Sequence, residues 1–217
     1  MVTAGLHRWI LLSAGFSCFL LLCRILVTGR LTYLFLPWNL LLAFVPYLIS
    51  GWLTRQSPVN GNRVRIYLAL AGWLLFVPNS FYIITDLFHL EHIDSAPPWF
   101  DLLMLFSFAW NGILFGLLSL LRVDQLIEGL FGKRFSFGFL IIVCWLNAWG
   151  IYIGRYLRFN SWDVLTDPFA LAGDMLNMIL HPITHAAAWG MISCYAVFMG
   201  LLYLTFKKLG EPRPVAR

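Results

Sequence analysis

Charge is what this chain has least of. Only 12% of its 217 residues are Asp, Glu, Lys or Arg, where a soluble domain carries about a quarter. With 60% hydrophobic residues and a mean hydropathy of +0.79, an aqueous globule would expose too much apolar surface. That class is excluded, and lipid is the natural solvent. Cysteine pairing is lacking too: Cys18, Cys23, Cys144 and Cys194 lie inside apolar runs and none forms C-x-x-C. Neither a disulfide frame nor a thiolate zinc site is expected. No internal repeat supports a repeat-built transporter. No acid or lysine stands at the middle of an apolar run, which argues against a proton-coupled pathway. The net charge of +5 does not signal nucleic acid, because the basic residues form short clusters between apolar runs. That pattern orients membrane helices.

What is present is a series of long apolar runs. A span needs about 20 mostly apolar residues to cross roughly 30 Å of hydrocarbon. Six runs qualify: Leu6–Val27, Leu31–Leu53, Val64–Leu90, Trp99–Leu121, Phe135–Leu157 and Pro182–Phe206. The expected fold is all-α: one polytopic transmembrane helical bundle over residues 1–210, with a disordered cytoplasmic tail at 211–217. The first run has no small-residue cleavage site after it and reads as a retained span rather than a signal peptide. Pro78 predicts a kink or tilt in the third span. If both termini are cytoplasmic, eleven of the fifteen Lys and Arg residues lie inside, leaving Arg24, Arg30, Arg155 and Arg158 outside. The positive-inside bias therefore favours an N-in/C-in chain.

Two loop segments carry their own expectations. Asp124–Gly132 reads as a short interfacial stretch on the inner side. The outer run from Phe159 to Leu180 is apolar enough to lie in the interface or re-enter the membrane before the last span. Within it Asp167-Pro168 starts a short helix that Gly173 can end, and Pro182 belongs to the first turn of the last span.

The same threading places seven of the ten acids and four of the five histidines outside. Ionisable groups near a bilayer are costly, so their clustering marks a candidate site. On the third span Asn79, Tyr82, Asp86 and His89 recur at spacings of three, four and three, which on an α-helix is one face. That face is either a site wall or a set of interhelical contacts. Asp101 opens the fourth span, and Arg155, Arg158, Trp162 and Asp163 follow the fifth. Asp86 is a candidate partner for Arg155 or Arg158, as a structural ion pair or part of a site. The arginines and their aromatic neighbours suit an anionic lipid headgroup. His181 and His185 have the i, i+4 spacing that suits zinc, with His89 as a third ligand. Asp86 or Asp101 would then be the base or a fourth ligand. Pro182 disfavours helix at His181, so that residue is alternatively a cap. His92 reads as a solvated loop residue. Asn39, Asn111 and Asn147 are expected to hydrogen-bond between helices, with Gly112 and Gly116 forming a close helix contact.

The runs LPWNL (Leu36–Leu40), VPNSFYIITDLFHL (Val77–Leu90), WFDLLMLFSFAWNG (Trp99–Gly112) and GRYLRFNSWDVL (Gly154–Leu165) carry a resemblance. The chain resembles the bacterial membrane proteins grouped as domain of unknown function 1361, from about Leu31 to Phe206. The resemblance implies a multi-pass protein of the bacterial inner or plasma membrane and attaches no activity or catalytic residue. A looser similarity is to the alkaline ceramidase and progestin-receptor-like membrane hydrolases. These place a His-x-x-x-His on the last span and a further His and Asp on an early span around zinc. This chain departs from them in having six spans, not seven.

Three functional readings follow. The first is a zinc-dependent hydrolase or lipid-handling protein acting on an amphiphile at the outer leaflet. The second is a non-enzymatic assembly factor or subunit docking a membrane protein partner. The third is a small transporter or a span pair ligating haem through two histidines.

Overall fold

The computed structural model describes residues 4–56, 63–92, 96–159 and 163–210. Among them there is helix and no strand. The helices are α1 (Ala4–Thr28), α2 (Phe35–Leu53), α3 (Arg63–Tyr82), α4 (Pro98–Phe131), α5 (Lys133–Tyr152), α6 (Asp163–Thr166), α7 (Pro168–Leu180) and α8 (Ala186–Leu209). A 3-10 segment, Ile83–His92, extends α3, and a π-turn, Ile153–Leu157, extends α5. Six of the resulting rods are long and apolar enough to cross a membrane, as expected, so the chain is a multi-pass membrane protein. The expected tail at 211–217 and Trp162 lie outside the described residues.

The chain divides into two compact units, Met1–Ser119 and Leu120–Arg217. In the first, short polar bridges join apolar helices. Ser80 donates to the Ala43 carbonyl at 2.9 Å, between α3 and α2. The Trp73 indole donates to Ser119 at 3.3 Å, and Asn111 donates to Ser17 at 3.0 Å, which tie α4 to α3 and α1. Lipid offers these donors no alternative partner, so each finds its acceptor inside the unit. Gly112 and Gly116 let α3 approach α4 closely. A Cβ at Gly116 would sit 2.8 Å from the Phe81 ring and 2.9 Å from Ser80 Cβ, and one at Gly112 would collide with Ile83.

Pro78 does not end α3. The helix runs four residues further and then tightens into the 3-10 segment. The change falls at Ile83-Ile84-Thr85, three successive β-branched residues that crowd the preceding turn of an α-helix. The 3-10 form rises about 2.0 Å per residue against 1.5 Å in the α form, so the segment reaches farther than an α-helix of equal length.

In the second unit α5 packs against α8. Asp124–Gly132 is not a separate stretch, because α4 continues unbroken to Phe131. What holds its end is Asp124, 1% exposed. Its carboxylate accepts from the Tyr203 and Ser136 hydroxyls and from Lys207 Nζ at 2.7 Å, and Lys207 also reaches Glu128 at 3.2 Å. α4, α5 and α8 thus close on one carboxylate. Asn147 breaks the expected pattern: it is 1% exposed and neither amide atom has a hydrogen-bond partner among the described residues. Its face of α5 presents Val143, Cys144, Ala148 and Ile151, three of which offer no polar side-chain atom and one only a thiol.

Asp167 caps α7 as expected, its side chain accepting from the Ala170 amide at 3.3 Å, with Pro168 in the first turn. Gly173 does not end the helix. A mid-helix glycine costs only about 1 kcal/mol against Ala, and the apolar run after it carries α7 to Leu180. Pro182 ends it instead, by disfavouring helix at His181. Pro182 lies in the turn between α7 and α8, so the last span begins at Ala186.

Asp124→Ala should lower the unfolding free energy by roughly 2–4 kcal/mol, since it strands two buried hydroxyls and a lysine. Glu128→Ala, at an exposed pair, should cost no more than about 0.5 kcal/mol. Thermal unfolding of the two variants in one detergent checks the contrast; equal midpoints would contradict it. Gly116→Leu should destabilise by about 1–3 kcal/mol through overpacking against Phe81, read in the same assay.

Candidate functional site

One end of the first unit gathers polar groups from four elements. Arg24 stands in the last turns of α1, and Asp101 in the first turn of α4. Their contact is bidentate, Nε to Oδ1 at 2.7 Å and Nη2 to Oδ2 at 3.0 Å, with the side chains 1% and 3% exposed. The planar guanidinium matches a carboxylate fork in this geometry. Tyr33, in the turn between α1 and α2, lies over the guanidinium with Cζ 4.4 Å from the ring centroid. Burial pushes the Tyr33 phenol up, the Asp101 charge adds to the shift, and Arg24 opposes it. The phenol therefore stays a neutral donor, and it donates to the His89 carbonyl at 3.1 Å.

The 3-10 segment sets the rest. With three residues per turn, Ile83, Asp86 and His89 stack on one face. The four-residue stripe expected of a continuous α-helix therefore splits at Ile83. Asp86 is 2% exposed and accepts from Asn39 of α2 at 2.8 Å. His89 is half-buried, its ring 5.1 Å from that of Phe35. Asn79 and Tyr82, on the α part below, are half-buried. Asn79 donates to the Phe76 carbonyl at 3.1 Å, and the Tyr82 carbonyl accepts from Thr85 at 2.7 Å. The backbone at His92 closes the segment, and its side chain is outside the described residues.

The remaining candidates belong to the second unit. Arg155 is half-buried on the π-turn, and Arg158 ends that turn, exposed, in the left-handed conformation at φ 61°. Asp163 is half-buried in α6 and accepts from Thr166 at 3.0 Å. His181 and His185 do not share a helical face. His181 is the exposed C-cap of α7, its amide donating to Asn177 at 3.0 Å, and His185 is the N-cap of α8. The cause is Pro182, which puts a turn where the His-x-x-x-His spacing implied a helix.

Among the described residues, no three or more His, Cys, Asp or Glu side chains form a group that could hold a metal ion.

Arg24 and Tyr33 are the partners that sequence reasoning missed. Arg24 had been counted only as an outer charge, yet an arginine inside an otherwise apolar helix is itself a signal. Asp124 was assigned to an interfacial stretch; its position after Arg122 at the end of an apolar run disguised it as a loop acid.

Residues 38–202 match the family described as protein of unknown function DUF1361, and the chain belongs to that family. No curated protein and no solved structure matches the chain.

Removing one partner of the Arg24–Asp101 pair leaves a buried charge uncompensated, at about 3–5 kcal/mol. Arg24→Ala and Asp101→Ala should each lower the thermal midpoint sharply, and the Arg24→Met/Asp101→Leu double variant should recover most of the loss. A double variant no more stable than the singles would contradict the pairing.

Proposed function

We propose that this member of the DUF1361 family is a lipid-handling membrane protein that reads the polar headgroup of an amphiphile at the outer leaflet. Both termini lie in the cytoplasm in this reading, which the excess of inner basic residues supports. One observation carries the headgroup role: a buried carboxylate, Asp86, and a half-buried imidazole, His89, stand one 3-10 turn apart on the same face. The imidazole offers a ring N–H to a headgroup oxygen, and the acid beside it is held in place by Asn39. Asn79 and Tyr82, half-buried on the α part below the split at Ile83, are secondary candidates for the same ligand. Asp101 fixes that end of the first unit through Arg24; in the second unit, as a feature of its own, Arg155 and Arg158 beside Asp163 suit the anionic part of a lipid. This version needs no metal. Zinc on His89, His181 and His185, serving a hydrolase, is its competitor and draws no support from the two turn-borne histidines.

The test is lipid analysis by mass spectrometry on protein purified in mild detergent, with elemental analysis of the same samples. Wild type should retain an anionic amphiphile above its bulk share. His89→Ala should reduce that retention roughly tenfold, the worth of one charge-assisted hydrogen bond. Stoichiometric zinc lost with the lipid in His89→Ala would favour the hydrolase. Unselective retention with a stably co-purifying protein would overturn the reading in favour of an assembly subunit.

A further inference from the structure

An apolar groove of about 250 Å³ runs between α5 and α8 in the second unit, and no residue of the headgroup site lines it. Ile142, Trp145, Leu146 and Trp149 of α5 face Trp189 and Ile192 of α8 across it. Ile142 is 60% exposed and Trp145 41%, so the groove opens outward. We propose that it takes the acyl chain of an anionic bilayer phospholipid whose phosphate sits at Arg155 and Arg158. The inference rests on the headgroup role given above to these arginines and names the lipid class they serve.

The length of the track fits one leaflet. The groove begins at Ile141, and α5 carries the chain directly into the π-turn with Arg155. At 1.5 Å per residue, Ile141 to Arg155 covers about 21 Å. Half of a bilayer with its headgroups is about 20–22 Å. A phosphate at Arg155 therefore leaves its acyl chain to run past the tryptophans toward Ile141.

The intervening surface is graded. Trp145, Trp149, Tyr152 and Tyr156 recur at spacings of four, three and four along one face. Tyr152 and Tyr156 stack at 5.2 Å, and such amphipathic rings favour the interfacial layer. The two groove tryptophans differ. Trp189 donates its N–H to the Met178 carbonyl at 3.2 Å and is fixed as a wall. Trp149, 5.9 Å from it ring to ring, has a buried N–H with no acceptor among the described residues. Turning that indole toward a lipid ester carbonyl gains a hydrogen bond and breaks none.

Charge selects the occupant. The π-turn ends with an exposed arginine that its left-handed backbone turns out of the helix, next to a half-buried one. Two guanidinium groups at headgroup depth favour a net-negative phospholipid over a zwitterionic one. A second copy of the chain would cover the apolar groove but would not use that charge.

The experiment is native mass spectrometry of the full chain released from nanodiscs of equal phosphatidylglycerol and phosphatidylcholine. Wild type should carry bound lipid enriched in phosphatidylglycerol. Arg155→Gln/Arg158→Gln should cut the enrichment roughly tenfold, and Leu146→Trp, which fills the groove, should cut occupancy by both lipids. Lost enrichment in the arginine variant with undiminished occupancy in Leu146→Trp would overturn the groove and leave the headgroup role standing. Retained enrichment in the arginine variant would overturn both. A lipid-free dimer of wild type would assign the groove to a second copy and overturn the proposal. Should either variant fail to fold, a phosphatidylglycerol with a photoreactive chain end answers on wild type. Its adducts must map to Ile141–Trp149 or Trp189–Ile192, and adducts elsewhere overturn it.

Discussion

A bilayer gives a buried polar group no partner but another protein group, and the Arg24–Asp101 pair is where this constraint bears hardest. Neither residue could stay charged alone inside an apolar unit at tolerable cost. Together, in a bidentate contact, they join the end of α1 to the start of α4. Tyr33 closes over the guanidinium and hands its hydroxyl to the His89 carbonyl, so the ion pair also fixes the backbone that carries the candidate site. Asp86 and His89 are thereby positioned by a charge pair that need not touch any ligand.

The second unit solves the same problem differently. One carboxylate, Asp124, collects two hydroxyls and a lysine from α5 and α8. Its partners are mostly neutral, and Lys207 keeps a third of its side chain exposed. That cluster is a clasp with its donors used up. The polar end of the first unit differs in leaving His89 half-exposed beside a buried acid, and that asymmetry is why the functional reading is placed there.

The six apolar rods were legible from composition and run length alone, because a membrane imposes both. The interhelical roles of Asn39 and Asn111, the glycine contact on α4 and the Asp167 cap were legible too, since each follows from a residue type at a fixed spacing. Three features were not. The α-to-3-10 change at Ile83 alters the period from 3.6 to 3, and a stripe written for one period splits under the other. The His181/His185 spacing suggested a helix that the intervening proline prevents. Arg24 counted with the outer charges although it lies within the first run, Leu6–Val27, because no spacing in the sequence links it to Asp101, 77 residues on.

The most direct check of the account is which side of the membrane the polar ends face. In a background with Cys18, Cys23, Cys144 and Cys194 replaced, single His89→Cys, Arg158→Cys and Lys208→Cys variants would be exposed to a membrane-impermeant maleimide in right-side-out vesicles. The account predicts labelling at positions 89 and 158 in intact vesicles, and at 208 only after permeabilisation. Labelling of 208 alone in intact vesicles would invert the chain and remove the site from the outer leaflet. Labelling of 89 and 158 from opposite sides would show that the histidine and arginine groups cannot serve one lipid surface.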